Sequence, residues 1–97
     1  MLIAYFGVRI IPTGFEALAV GAVAVGPANA SADAAWVQVE SGPIRYRTDG
    51  GTPTAAVGIP AFDGDTFNLG SYELKNFKAI RSGTVSGTCN ITRGRLE

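Results

Sequence analysis

Glycine and proline interrupt this chain so often that no long helix fits into it. The 97 residues include 13 glycines and 5 prolines, and no stretch keeps helical spacing of apolar residues for three turns. Several short segments instead alternate apolar and polar residues between turn signals, which is typical of small β-domains. We therefore predict an all-β fold, either a small antiparallel β-sandwich or a partly closed barrel, with an extended N-terminal arm.

Two pairs of alternating segments are predicted to form hairpins. In the first pair, residues 35–40 alternate, Ser41-Gly42-Pro43 is a turn signal, and residues 44–47 alternate again. In the second pair, residues 77–81 and 87–92 flank a turn rich in serine and glycine. The inward face of the first hairpin is predicted to carry Val37, Val39, Ile44 and Tyr46.

The chain is predicted to contain one domain with short flanking segments. Residues 1–12, rich in β-branched and aromatic types, are predicted to form the extended arm, and residues 13–95 the β-domain. We set residues 96–97 aside as a remnant of a cloning site.

Three further segments within the domain have recognisable patterns. The valines and glycines of residues 15–25 favour a strand with a bulge at Gly21. Residues 52–65 contain two prolines and an Asp-Gly turn, and so long a loop in a small domain is typical of an interface element. Residues 66–69 are predicted to form a short strand, and residues 72–76 a turn of helix.

The charge balance excludes some classes of partner. The chain has 8 basic and 8 acidic residues, and charged residues make up 16% of it, below the roughly 25% usual in soluble domains. A balanced chain has no basic surface for nucleic acid, and a net charge near zero favours contact between copies. Residues 17–32 resemble a secretion signal, but Glu16 precedes the apolar run and Arg9 is the only upstream cation. We predict no signal peptide and no membrane partner.

The residue types needed for catalysis are scarce. Histidine, the commonest general base and transition-metal ligand, is absent, and Cys89 is the only cysteine. Asp63 and Asp65 flank Gly64 and could bind a hard cation, although an Asp-Gly turn leading into a strand is the favoured interpretation. We predict no enzymatic activity, no cofactor and no metal.

Four side chains are candidates for contacts with a partner. If the two hairpins are neighbours, Arg45, Arg47 and Arg81 could line one surface and clamp carboxylates of a partner or of Asp49; a solvated strand face is the alternative. Trp36 is predicted on the outward face. An outward tryptophan is typical of an interface hot spot or a sugar platform, but it could equally cap the edge of the core.

Two long stretches carry a resemblance to a known family. GPIRYRTDGGTPTAAVGIPAFDGDTFNL, at 42–69, and NFKAIRSGTVSGTCNIT, at 76–92, resemble small proteins encoded among the virion genes of tailed phages and prophages. The resemblance covers about residues 13–92 and rests on turn and strand motifs. It implies a compact β-domain that serves as a head-decoration (cement) subunit, or as part of a head fibre or tail. The sequence departs from the family at Arg93-Gly94-Arg95, where an aromatic ending is expected.

The resemblance implies a location in the virion after synthesis in the bacterial cytoplasm. We expect a subunit that binds and stabilises the head shell as part of a symmetric oligomer, and we expect this oligomer to be a trimer. Its expected partners are other copies of itself and the major capsid protein or other virion proteins. The predicted contact residues are Leu2, Ile3, Tyr5, Phe6, Val8, Trp36, Arg45, Arg47, Ile59, Phe62 and Arg81.

The sequence also allows a second function as an alternative. The chain could be a carbohydrate-binding or adhesin-like module of a phage tail or bacterial surface. In that case Trp36 and Tyr46 or Tyr72 would stack on sugar rings, and Asp63 and Asp65 would supply polar contacts.

Overall fold

The computed structural model describes residues 3–5 and 8–97 and shows two antiparallel sheets that share one core. The elements are β1 (Ile3–Tyr5), β2 (Val8–Val20), β3 (Ala34–Ser41), β4 (Ile44–Arg47), β5 (Ile59–Ala61), β6 (Thr66–Gly70), α1 (Ser71–Lys75), β7 (Lys78–Arg81) and β8 (Gly87–Leu96). The strand order is β1-β2-β8-β3-β6 in the five-stranded sheet and β5-β4-β7 in the three-stranded sheet. The predicted all-β sandwich is confirmed, and the sheets do not close into a barrel.

The strands present the faces that their alternation predicts. Val37, Val39 and Ile44 are fully buried, whereas Gln38 is exposed and Trp36 is partly exposed. Successive residues of a strand point to opposite faces, so this pattern directs Trp36 and Gln38 away from the core. The predicted outward position of Trp36 is confirmed.

The core lies between the two sheets and contains Phe77, against which two partly buried aromatic rings pack. The ring of Tyr46 stacks on Phe67 with the centroids 4.3 Å apart and packs against Phe77 at 5.7 Å. Leu74 of α1 is also fully buried, which ties this short helix to the sandwich. The described residues contain no helix long and apolar enough to cross a membrane.

Neither predicted hairpin forms, because consecutive strands join different sheets. β3 pairs with β6 and β8, whereas β4 pairs with β5 and β7, and β7 and β8 are separated in the same way. The chain changes sheets at Ser41 and Gly42, whose φ angles are 60° and 100°, followed by a cis peptide bond to Pro43. A Cβ at Gly87 would lie 3.1 Å from Cγ2 of Ile44, so glycine there lets the crossing chain approach β8 closely.

The N-terminal segment differs from the predicted arm because its described residues pair within the sheet. β1 pairs with the start of β2, and β2 continues through Pro12 along β8, so the predicted domain boundary falls inside a strand. β8 is long enough to supply partners there, with Leu96 opposite Ile10. The residues set aside as a cloning remnant are paired too, since the Glu97 N–H donates to the Arg9 carbonyl at 3.0 Å.

The second half of the predicted strand 15–25 takes another path. β2 ends at Val20, and its register shift lies between Pro12 and Gly14 instead of at Gly21. The strand ends where its partner β8 begins, because Val20 is opposite the first residue of that strand.

The segment after β2 extends the smaller sheet and then closes one end of the sandwich. Val25 and Ala79 exchange two backbone hydrogen bonds of 2.9 Å. Beyond this bridge the chain passes the carboxylate of Glu16, which accepts hydrogen bonds from the Ala28 N–H at 2.7 Å and from Arg93 at 3.2 Å. One carboxylate therefore holds both the loop and β8.

Candidate functional site: a sheet platform and an edge patch

The outer face of the five-stranded sheet is open to solvent. Its side chains come from β2, β8, β3 and β6, and each residue is exposed or partly exposed. We call this face the sheet platform; its members are Phe15, Ala17, Ala19, Thr88, Asn90, Thr92, Trp36, Gln38, Glu40, Thr66 and Asn68.

The platform is arranged in rows that run across the strands. Phe15 and Trp36 both lie opposite Thr92, and Asn68 follows Trp36 on the next strand. Because neighbouring strands are about 4.8 Å apart, the backbones of the two aromatic residues are separated by about 10 Å. The next row consists of Ala17, Asn90, Gln38 and Thr66.

Glu40 is the one ionisable member of the sheet platform. Its carboxylate accepts a hydrogen bond from the side-chain amide of Asn90. The other polar members carry amides or hydroxyls, and none is basic. Such a surface offers hydrogen bonds and aromatic contact without a positive field that would attract a polyanion.

A second exposed surface lies at the edge of the three-stranded sheet. Val57, Ile59 and Phe62 are 53%, 51% and 56% exposed and lie within or beside β5, the outermost strand. We call these three residues the edge patch. Ile59 and Phe62 were predicted from the sequence as contact residues; Val57 was not, although it lies in the loop 52–65 predicted as an interface element.

Two arginines of β4 hold the loop that follows this strand against the outer side of the smaller sheet. Arg47 donates to both oxygens of Asp49, at 3.0 Å from Nε and 2.7 Å from Nη2, and Arg45 donates to the Gly58 carbonyl at 2.9 Å. The hydrogen bonds from Arg47, followed by one from the Gly51 N–H, lower the pKa of Asp49 to about 2.

A cleft of about 300 Å³ opens beside this loop. It is lined by residues 47–49 at the end of β4 and residues 57–59 at the start of β5. Its arginine already has a carboxylate partner in Asp49, and its other wall is formed by Val57 and Ile59 of the edge patch. The cleft is therefore an extension of the edge patch.

The three candidate arginines do not share one surface. Arg81 lies opposite Ile44 and so falls on the face directed towards the core, while Arg45 and Arg47 point to the other face of the sheet. The predicted joint surface is wrong although β4 and β7 are adjacent, because their register places Arg81 opposite Ile44 and not beside Arg45 or Arg47. The bidentate clamp on Asp49 is present, and Arg47 is the arginine that forms it.

Asp63 and Asp65 form a turn, as the favoured interpretation predicted. An oxygen of Asp63 accepts the Ser41 N–H at 2.9 Å, and an oxygen of Asp65 accepts the Phe62 N–H at 2.8 Å. Gly64 between them has a φ of 89°, which glycine adopts without strain. Residues 3–5 and 8–97 contain no group of three side chains placed to hold a metal ion.

The aromatic set expected for sugar binding is not assembled as predicted. Tyr46 is stacked on Phe67 in the core, and burial, with a contribution from Asp65, raises its pKa. Tyr72 is exposed on α1, and Trp36 lies on the sheet platform. Trp36 therefore lies on the outer face of the five-stranded sheet, whereas Tyr46 lies on the inner face of the three-stranded sheet.

Phe15 is the aromatic residue that sequence reasoning missed. It shares its face with Ala17 and Ala19, whereas the inward face of the same strand carries Leu18 and Val20. Both faces are largely apolar, so alternation in β2 gives little contrast between inside and outside. The signal that places Phe15 beside Thr92 is the pairing with β8, which the sequence does not show.

The remaining predicted contact residues lie at the N-terminus. Ile3, Tyr5 and Val8 belong to β1 and β2 at one side of the five-stranded sheet. Leu2 and Phe6 lie outside the described residues.

Comparison with known proteins finds no match to this chain. No protein-family model matches the sequence, and neither the curated proteins nor the solved structures contain a significant match.

Proposed function

We propose that this chain is a non-enzymatic structural subunit of a tailed-phage particle, a decoration subunit that binds the head shell as part of a symmetric oligomer. The edge patch is the observation that carries the proposal. Val57 and Ile59 line one cleft, Phe62 directly follows β5, and all three of these large apolar side chains are more than half exposed. Clustered exposed apolar surface is typical of a site that another protein covers.

The character of β5 favours contact through side chains. Pro60, in the middle of the strand, has no N–H to donate, and proline in an edge strand opposes the addition of another strand. Ile59 and Phe62 can still insert into a complementary apolar surface. We therefore place the contact in these side chains and not in strand addition.

The edge patch is too small to form a stable interface by itself, so binding through several copies is favoured. A stable interface buries about 800 Å² on each partner, more than three side chains supply. Copies joined in a ring bind a repetitive shell at several points, and the combined affinity then exceeds that of each contact. The balanced charge of the chain, 8 basic and 8 acidic residues, leaves little net repulsion between copies.

The test compares two aspartate substitutions in the edge patch with a matched control. Ile59→Asp and Phe62→Asp place charges in the patch, whereas Val85→Asp alters a residue that is 55% exposed outside it. Solution mass is measured by light scattering after size exclusion, and binding by co-sedimentation with empty tailed-phage heads that lack decoration subunits.

We expect the unmodified chain and Val85→Asp to form a defined oligomer that sediments with the heads. Both patch variants should be folded, by circular dichroism, yet fail in both assays. A chain that stays monomeric at high concentration and leaves the heads unbound would contradict the proposal.

A further inference from the structure

The sheet platform combines features that a sugar chain recognises. Phe15 is 62% exposed, Trp36 is partly exposed, and Thr92 lies between them on the intervening strand. The flat, apolar side of a pyranose ring packs on an aromatic face, and its hydroxyls need hydrogen-bonding partners at the edge of the ring. Both kinds of group occur here on one open sheet face.

We propose that the sheet platform binds an extended, uncharged, β-linked polysaccharide. The spacing of the aromatic residues is the first argument. Their backbones are two strand spacings apart, about 10 Å, which is comparable to the separation of alternate rings in an extended β-1,4-linked chain. A sugar chain running across the strands would place alternate rings over Phe15 and Trp36, and the ring between them over Thr92.

The neighbouring row supplies the polar contacts. Gln38 and Asn90 lie opposite each other in the row next to the one that contains the two aromatic residues. Thr66 lies opposite Gln38 on β6. Their amides and hydroxyl both donate and accept hydrogen bonds, as sugar hydroxyls require. The Glu40 carboxylate, already bonded to Asn90, adds a charged acceptor at the end of this surface.

The charge of the platform selects the class of sugar. Its members include no arginine or lysine, and the one ionisable group is the carboxylate of Glu40. A polymer of uronic acids or a nucleic acid would meet a negative charge without compensation. Neutral hexose polymers are therefore the ligands that fit.

The platform is separate from the surface used in the proposed assembly. The edge patch belongs to β5 and the residues on either side of it, while the platform lies on the outer face of the other sheet. Sugar hydroxyls can replace the hydrogen bonds to water that a bound ring displaces from the amides and hydroxyls of both rows, whereas an apolar surface of a second copy would leave these groups unpaired. The inference does not depend on the proposed function.

Trp36 provides a direct measurement, because it is the only tryptophan in the chain. The protein is titrated with cellohexaose, mannohexaose and, as an α-linked control, isomaltohexaose, and tryptophan fluorescence is recorded. We expect a saturable change at millimolar or lower concentration with at least one β-linked hexaose and none with the α-linked sugar.

Two substitutions and two controls place the site. Phe15→Ala should weaken binding about tenfold, as the loss of one aromatic contact implies, and Gln38→Ala should weaken it by a smaller factor. Phe62→Ala and Tyr72→Ala remove exposed aromatics elsewhere and should leave the affinity unchanged.

The proposal is overturned if neither β-linked hexaose changes the fluorescence of the folded protein. It is also overturned if Phe15→Ala binds as tightly as the unmodified chain, or if Trp36 becomes buried on raising the protein concentration without sugar. Phe62→Ala changes the edge patch and leaves the sheet platform unchanged. If this variant no longer assembles but still binds the sugar, a failure of the proposed function is distinguished from a failure of sugar binding.

Discussion

Substitution of Glu16 tests how the loop after β2 is attached to the sandwich. Its carboxylate accepts hydrogen bonds from the backbone N–H groups of Ala28 at 2.7 Å and Asn29 at 3.4 Å, and from Arg93 at 3.2 Å. Glu16→Ala leaves these donors without their acceptor at a site where the two charged side chains are only 17% and 13% exposed. The loop after β2 then loses its attachment to β2 through this carboxylate, whereas its hydrogen bonds to β8, from Arg93 to the Asn29 carbonyl and from the Asp33 N–H to the Gly94 carbonyl, remain.

The expected loss of stability follows from this geometry. Breaking a fully buried ion pair costs about 3–5 kcal/mol, and a hydrogen bond to a charged group contributes about 1.5–3 kcal/mol. Some water reaches this pair, so we expect Glu16→Ala to lower the free energy of unfolding by about 2–3 kcal/mol. In a domain of this size that is a fall in Tm of about 10–20 °C.

The assay is urea unfolding followed by Trp36 fluorescence and circular dichroism. Glu16→Gln keeps one acceptor but turns an amide donor towards other donors, so its loss should be smaller, about 1–2 kcal/mol. The control is Glu40→Ala, which removes an exposed carboxylate bonded to Asn90 and should change stability by less than about 0.5 kcal/mol. The reasoning is refuted if Glu16→Ala and Glu40→Ala cost the same.

Three further predictions concern the core, the thiol and the ordered loop. Phe77→Ala should lower the free energy of unfolding by about 3–5 kcal/mol in urea melts, because Phe77 is fully buried against two other aromatic rings; a loss below about 1 kcal/mol would contradict the packing. Burial raises the pKa of Cys89 to about 12, so the native protein should resist a thiol reagent at neutral pH and react once unfolded, and rapid native labelling would count against this. The lowered pKa of Asp49 stabilises the folded loop at pH values above the ordinary carboxyl pKa, and this contribution disappears as pH falls through about 2. An NMR titration should show the Asp49 carboxyl protonating near pH 2, and Arg47→Ala should return it towards its ordinary value; titration near pH 4 in the unmodified chain would contradict the clamp.

The sequence was sufficient to predict most of the strands but not their partners, and β5 (Ile59–Ala61) was missed because it lies within the predicted loop 52–65. Alternation in residues 35–40 and 44–47 correctly assigned the buried sides, because alternation depends only on the local geometry of a strand. It carries no information about which strand lies alongside. The turn signal at Ser41-Gly42-Pro43 is equally compatible with a hairpin and with a change of sheet, and long-range pairing with β8 decides between them.

The candidate sites divide in the same way. Trp36, Ile59 and Phe62 could be found from the sequence, because outward alternation and a proline-rich loop mark exposed apolar side chains. Phe15 could not, since its role depends on lying two strands away from Trp36 with β8 between them. A surface built from several strands is set by register, which a single sequence leaves open.

The unequal sizes of the two sheets explain why two such different surfaces coexist. The smaller sheet and the segment around Val25 cover the inner face of the larger one, while the loop that carries Asp49 and Gly58 lies against the outer side of the smaller sheet. The smaller sheet therefore exposes its apolar side chains at an edge, and the larger sheet exposes a whole face. An edge of three apolar side chains suits contact with protein in a repetitive assembly, whereas a broad row of aromatics and amides suits a linear polar polymer. Because the two surfaces lie on different sheets, a substitution in one should leave the other intact, and each can be tested in a folded protein.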